Sequence, residues 1–311
     1  MPNPYAYFRG EIIPLANAKI GVMTHAFNYG TAVFEGIRGN WNEAESTTFL
    51  FRVREHYTRL EQSCRILGLP FEEDVDNLIE ITTEIAKKSE YREDIYIRPL
   101  VYASSEVLGV RMHGLETDVV IFVAPFGPYL DIEQGARCQT STWRRVDDTG
   151  IPPRAKVTGI YVNSALAKTE AQLNGFDEAI VLNSDGHVSE GSGENIFIIR
   201  DGILITPPPS DNVLEGITAE TVKTLAENEF GIRTIERTID RSELYIADEV
   251  FMTGTAAHVT PVVEVDRRAI NGGIPGTITK QLVGAYSDVI CGKNEKYVDW
   301  CLPIQVKSDK S

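Results

Sequence analysis

Cysteine is scarce in this sequence: Cys64, Cys138, Cys291 and Cys301 are the only four among 311 residues, and none stands in a CxxC or His-flanked spacing. That pattern encodes neither a disulfide framework nor a metal site, and it suits a reducing cytoplasm. Basic residues are also in short supply, 30 Lys and Arg against 45 Asp and Glu, for a formal net charge of −15. No Lys/Arg cluster is long enough to track a phosphate backbone, so nucleic acid is not an expected partner. No apolar run approaches the roughly 20 residues that span a bilayer. The opening Met1-Pro-Asn-Pro-Tyr5 lacks the basic segment and apolar core of a secretion signal, so neither a membrane nor export is expected. Internal repeats are absent, and the one compositional oddity is the corner Pro207-Pro208-Pro209.

What remains is ordinary globular sequence, 42% hydrophobic and 24% charged, long enough that two domains are the default. Short strands are expected over 5–8 and 11–14, followed by a glycine-punctuated stretch over 25–38. Helices are expected over 55–67 and 75–89, with strands over 95–102 and 119–123. Two prolines and a glycine in Ala124-Pro-Phe-Gly-Pro-Tyr-Leu130 then favour a turn or linker. The expected organisation is a smaller α+β domain over 1–123, a linker over 124–135 and a larger domain over 136–311. In the second domain a helix is expected over 161–173 and another over 218–229, with strands over 179–182, 196–199, 203–206 and 249–253. Asp185-Gly186 and Asp201-Gly202 read as type I′ turns joining antiparallel neighbours.

Four stretches carry groups suited to chemistry, each with a plain structural alternative. In Leu214-Glu-Gly-Ile-Thr-Ala-Glu220 a glycine precedes a Thr at a helix start, which attracts phosphate or simply caps the helix. Small residues in Gly254-Thr-Ala-Ala257 allow close approach of an anion, or form a tight turn from a strand into a helix. Ser189-Glu-Gly-Ser-Gly-Glu-Asn195 is a polar loop wedged between two strands, functional or an ordinary glycine-rich turn. In Tyr96-Ile-Arg98, alternation puts Tyr96 and Arg98 on one face, as in a carboxylate receptor or a solvated edge strand. Nothing local singles out Lys156 from the other lysines.

Taken in order, His25-Ala-Phe-Asn-Tyr-Gly-Thr-Ala-Val-Phe-Glu-Gly-Ile-Arg38, Arg54-Glu-His-Tyr-Thr-Arg-Leu60, Tyr96-Ile-Arg-Pro-Leu100, Lys156-Val-Thr-Gly-Ile-Tyr161, Ser189–Asn195, Leu214-Glu-Gly-Ile-Thr218 and Gly254–Ala257 resemble the fold-type IV pyridoxal-phosphate enzymes, most closely the branched-chain amino acid aminotransferases. The likeness runs from Asn3 to about Val289. It implies a two-domain α+β fold with the cofactor, pyridoxal 5'-phosphate, at the domain interface. It implies Lys156 as the catalytic residue, holding the cofactor as a Schiff base and moving the substrate's Cα proton. Tyr161 would meet the phenolic oxygen and Glu190 the ring nitrogen, with Arg59, Ile217, Thr218 and Thr255 around the phosphate. The implied substrate set is Phe34, Gly36, Arg38, Tyr96, Arg98, Tyr129, Thr255 and Ala256, with Tyr29, Leu108 and Val110 supplied by a neighbouring subunit. Small amino acids and 2-oxo acids would be the partners, in a homodimer or larger homo-oligomer. Phe126 departs from the tryptophan of some bacterial relatives. D-amino acid or R-amine transamination is the alternative activity within the same fold type.

Overall fold

The computed structural model describes residues 4–305; residues 1–3 and 306–311, which include the opening residues discussed above, lie outside the described part. The chain divides into two compact units, one holding residues up to Gly127 with 155–159 and the stretch from Asp288, the other 128–154 and 160–287.

The first unit is built on an antiparallel sheet. Its strands are β1 (Tyr5–Phe8), β2 (Glu11–Pro14), β3 (Ala32–Phe34), β4 (Ile37–Asn42), β5 (Thr47–Phe51), β6 (Ile95–Ala103) and β7 (Thr117–Pro125), with β5-β4-β6-β7-β1-β2 side by side and β3 also paired to β6. Three helices belong to this unit: α1 (His25–Tyr29), α2 (Val53–Leu67) and α3 (Val75–Ser89). Helix α2 turns Val53, Tyr57, Leu60 and Cys64 inward at helical spacing and ends on Gly68, whose φ of 68° suits a residue without Cβ. Along β6 the residues Ile95, Ile97 and Pro99 are buried while Tyr96 and Arg98 lie on the other face. Because β6 pairs with β4 on one side and β7 on the other, Tyr96 and Arg98 stand on a central strand, and the solvated-edge alternative is excluded.

The second unit carries a mixed sheet of β8 (Ala136–Arg144), β9 (Glu178–Leu182), β10 (Val188–Gly191), β11 (Asn195–Arg200), β12 (Ile203–Thr206), β13 (Thr234–Glu236), β14 (Glu249–Gly254), β15 (His258–Val265) and β16 (Arg268–Ala269). Their order is β10-β9-β8-β15-β14-β11-β12-β13, with β16 on β15. Two further helices lie wholly within this unit, α4 (Tyr161–Leu173) and α5 (Ile217–Phe230); a last helix, α6, spans Thr277–Ile290. At Asp201-Gly202 both residues have positive φ and Arg200 faces Ile203, the two-residue turn that was expected. At Asp185-Gly186 only the glycine does, and Asn183 and His187 close a three-residue loop instead. Not every neighbour is antiparallel: β8 runs parallel to β9, joined by a crossover through α4, and parallel to β15.

The last strand, β17 (Cys301–Gln305), returns to pair with β5 in the first unit. The segment 155–159 also belongs there, because Val157 bridges Val33 and the Thr158 hydroxyl donates to the Gly30 and Ala32 carbonyls. These two stretches fall in the first unit, whereas the sequence reading took 136–311 together: long-range strand pairing decides membership, and local sequence carries no trace of it. The expected linker of 124–135 overlaps the end of β7, which holds Ala124 and Pro125.

Candidate active site

In the first unit the groups gather around β3. Lys156 is tied by its backbone, which accepts from the Phe34 N–H at 3.0 Å and donates to Ser63 Oγ at 3.2 Å. Gly30 and Gly159 make this possible, because a Cβ on Gly30 would sit 2.9 Å from the Gly159 Cα. The Lys156 ammonium lies 5.2 Å from the Phe34 ring centre, and the Arg98 guanidinium lies 4.4 Å from the same ring. Arg98 also donates to the Tyr96 hydroxyl at 3.2 Å, while its Nε is buried without a hydrogen-bond partner among the described residues. Gly36 leaves room for Tyr96: a Cβ there would fall 1.8 Å from the Tyr96 hydroxyl oxygen. Phe126 packs on Tyr96 with ring centres 5.0 Å apart, and the Arg38 guanidinium lies 5.0 Å from the Phe126 ring. Arg38 is 5% exposed and paired with Asp94 at 3.0 Å, so its charge is already met by protein.

Arg59 projects from α2 onto Glu35, donating from Nε at 2.7 Å and Nη2 at 2.8 Å, while His56 Nδ1 meets the same carboxylate at 2.6 Å. Burial alone would raise the Glu35 carboxyl, but the charge and hydrogen bonds of Arg59, with His56, hold it well below the ordinary carboxylate range. Burial pushes His56 the other way, to a lowered pKa, only partly opposed by Glu35, and Arg59 and Lys156 add to the lowering. Glu35 lies inside the first motif but was not singled out by the sequence reading. The signal was present, one acid in the apolar run Ala32-Val-Phe-Glu-Gly-Ile37.

Tyr29, Leu108 and Val110 form a separate group in this unit. The Tyr29 hydroxyl accepts from the Gly109 N–H at 3.0 Å and His25 Nε2 meets the Gly109 carbonyl at 2.8 Å. The loop is thus pinned at its glycine, with Leu108 71% and Val110 80% exposed on either side.

In the second unit the groups gather at one end of the sheet. Glu190 on β10 is buried, its Oε1 paired with Arg145 at 2.6 Å and its Oε2 accepting from the Leu214 N–H at 3.0 Å and the Asn195 amide at 3.4 Å. Arg145 is itself 8% exposed and was missed by the sequence reading, since it stands alone in Trp143-Arg-Arg-Val146 with nothing to distinguish it from Arg144. Asn195 also donates to the Leu214 carbonyl at 2.7 Å and faces Thr253 across the β11–β14 pair. These links bring the start of α5 and the turn after β14 beside Glu190. The residue at the N-cap of α5 is Gly216, not Thr218, and no side chain caps it; Ile217 and the buried Thr218 open the first turn. A Cβ on Gly216 would meet Asn195 Oδ1 at 1.9 Å. Gly254-Thr-Ala-Ala257 is a turn between strands β14 and β15, and so not one leading into a helix. Thr255 and Ala256 are half-buried in it, next to Thr253, whose hydroxyl is buried without a partner among the described residues.

Tyr161 is the first residue of α4. Tyr129 lies in the irregular stretch after β7, 40% exposed, with the Lys168 ammonium 4.9 Å from its ring centre. No three His, Cys, Asp or Glu side chains among the described residues are placed to hold a metal ion, and no helix there is long and apolar enough to cross a membrane.

Around β3 the first unit thus gathers an amine, aromatic rings and a guanidinium, and the second gathers a fixed carboxylate beside a helix start and a small-residue turn. Residues 32–265 match the family model described as amino-transferase class IV. A protein of Aquifex aeolicus named "Probable branched-chain-amino-acid aminotransferase" is 51% identical over 303 residues, 97% of each chain. The branched-chain aminotransferase of Thermoproteus uzoniensis, solved with norvaline, superposes with a TM-score of 0.93 at 43% identity, covering 97% of this chain and 99% of that one. The branched-chain amino acid aminotransferase of Thermobaculum terrenum, solved in its PLP-form, gives 0.93 at 38% identity over 98% of this chain and 99% of that one. With the family model covering most of its length and relatives matching it nearly end to end, the chain belongs to the class IV aminotransferases.

Proposed function

We propose that this enzyme exchanges the amino group of L-leucine, L-isoleucine or L-valine with 2-oxoglutarate, using pyridoxal 5'-phosphate bound through Lys156. The observation that carries the reading is the placement of the Lys156 amine and the Arg98 guanidinium about one Phe34 ring, an apolar wall with two cations beside it. When bound, the cofactor supplies an electron sink that makes the substrate's α-proton acidic.

The residues present fit that group. Glu190 is a buried carboxylate whose position is fixed by three donors, which suits holding a proton on a ring nitrogen. The start of α5 at Ile217 and Thr218, the turn at Thr255 and the Arg59 guanidinium suit a phosphate. Glu35 offsets part of the Arg59 charge, so the helix start and turn carry a correspondingly larger share. Tyr161 would donate to the phenolic oxygen. Lys156 Nζ, held by a backbone clamped at both ends, would take the proton from the substrate's Cα and return it two bonds away, on the far side of the amino nitrogen.

For the substrate, Phe34, Gly36, Tyr96, Tyr129 and Ala256 would enclose the branched side chain. Arg98, whose buried Nε lacks a partner among the described residues, would meet the side-chain carboxylate of glutamate. The backbone at Thr255 and Ala256 would hold the α-carboxylate. Arg38, whose Nε is likewise buried without a partner among the described residues, is paired with Asp94 and would shape the pocket through Phe126. A second copy of the chain would cover the exposed apolar group Val22, Phe27, Leu108 and Val110, which supports the assignment of Tyr29, Leu108 and Val110 to a neighbour's pocket in a homodimer or larger assembly. We place the enzyme in the cytoplasm, which its free thiols suit.

A donor panel tests the reading. L-leucine with 2-oxoglutarate should turn over, against little or none with D-alanine or R-phenylethylamine, and Lys156→Ala should abolish turnover and the yellow colour of the purified protein. Absence of L-leucine turnover overturns it. The D-amino acid and R-amine alternative draws no support from the relatives, which are named for the branched-chain reaction.

A further inference from the structure

Tyr129 occupies an awkward place for a residue that must present a wall to substrate. It follows Pro128 in a stretch without regular structure, and at 40% exposure burial does not fix its ring. A cavity of about 580 Å³ opens beside it, lined also by Leu130, Lys168 and Phe176, so the ring has space to swing away. Lys168, by contrast, is rigidly placed. Its ammonium pairs with the Glu178 carboxylate, donates to the Asp177 carbonyl at 2.8 Å and lies 4.9 Å from the Tyr129 ring centre. Glu178 is fully buried and accepts in addition from the Ala179 N–H at 2.7 Å. The Tyr129 hydroxyl is a hydrogen-bond partner of the same ammonium.

We infer that Lys168 is a positioning residue for specificity: anchored by Glu178, it holds Tyr129 at the substrate pocket by hydrogen bond and cation–π contact, touching neither substrate nor cofactor itself. The inference rests on the placement of Tyr129 in that pocket proposed above. The charges around the ammonium agree with it. Glu194 is the other carboxyl facing this cluster, and burial, with Glu178 beside it, pushes its pKa up to about 8. Its charged form is thus disfavoured, and Glu178, which pairs directly with the Lys168 ammonium, is the nearer counter-charge.

The test is a cycle on the holoenzyme between Tyr129→Phe and the pair Lys168→Met with Glu178→Gln, the pair being used because Lys168→Met alone strands a buried carboxylate. Each arm should raise KM for L-leucine about tenfold, the range expected for a hydrogen bond to a charged group, with kcat and cofactor colour kept. The combined variant should be no worse than the worse arm, since both cut the same tether. Limited proteolysis within residues 126–135 should speed up in both arms. Additive effects, unchanged KM, loss of cofactor or unchanged proteolysis each overturn the inference. Failure of the unmutated enzyme to turn over L-leucine would instead defeat the proposed function, and the proteolysis arm would still decide the tether.

Discussion

A carboxylate out of reach of water survives only where cations meet it, and Glu35, with 0% exposure between Arg59 and His56, is such a group. Removing one member of a buried charge set costs roughly 3–5 kcal/mol, so Glu35→Ala should lower stability by about that amount in urea unfolding at fixed cofactor concentration. Because the folded-state pKa of Glu35 is depressed, its contribution is present above the unfolded value of 4.5 and is lost as pH falls below it. Glu194 has the opposite sign. Its folded pKa is raised from 4.5 to about 8, so the folded state binds the extra proton and stability falls as pH rises between those values, with no further loss above them. Unfolding measured at pH 5 and pH 8 should show this fall in the parent protein and its absence in Glu194→Gln; equal slopes would refute the assignment.

Among elements, the short segment joining β3 to β4 decides what β6 can present. Gly36 lies in that segment, and any Cβ there overlaps the Tyr96 hydroxyl at 1.8 Å. Overpacking of this kind costs about 1–3 kcal/mol, so Gly36→Ala should displace the Tyr96 ring and raise KM for L-leucine roughly tenfold or more. Adding Tyr96→Phe deletes the nearer colliding atom but leaves Cζ at 2.4 Å, so it should recover only a small part of the loss. At the start of α6, Glu249 from β14 accepts from the backbone N–H groups of Ile278 and Thr279 and from the Thr279 hydroxyl, at 3.0, 2.8 and 2.6 Å. It serves as that helix's N-terminal cap from a distant strand, and Glu249→Ala should cost about 1–2 kcal/mol in thermal or urea unfolding. Helix α3, with strong local periodicity, matches the expected span of 75–89, and the more weakly amphipathic α4 matches that of 161–173. Strands β3, β4 and β5 were not anticipated, because they are buried on both faces and lose the alternation that marks a half-buried strand.

For the whole molecule, the exposed apolar group at Val22, Phe27, Leu108 and Val110 predicts a particle larger than the 34.5 kDa chain. Sedimentation should give at least twice that mass, and Leu108→Asp with Val110→Asp should shift it toward the monomer and cut turnover together. A monomeric parent protein at micromolar concentration would refute the assembly.

Local sequence determined the α+β class, the helices with a 3.6-residue period and the Asp201-Gly202 turn, because each depends on neighbours a few positions away. The ordered motifs determined the family, since so many separated segments do not recur together by accident. Only the tertiary structure decided that 155–159 and β17 belong to the first unit, that Arg145 rather than Arg144 meets Glu190, and that Glu35 lies beneath Arg59. Those facts come from strand pairing and side-chain burial between residues far apart in sequence, such as Phe51 and Cys301. Composition and spacing carry no record of such pairings, because the free energy that fixes them is released only when the distant partners meet.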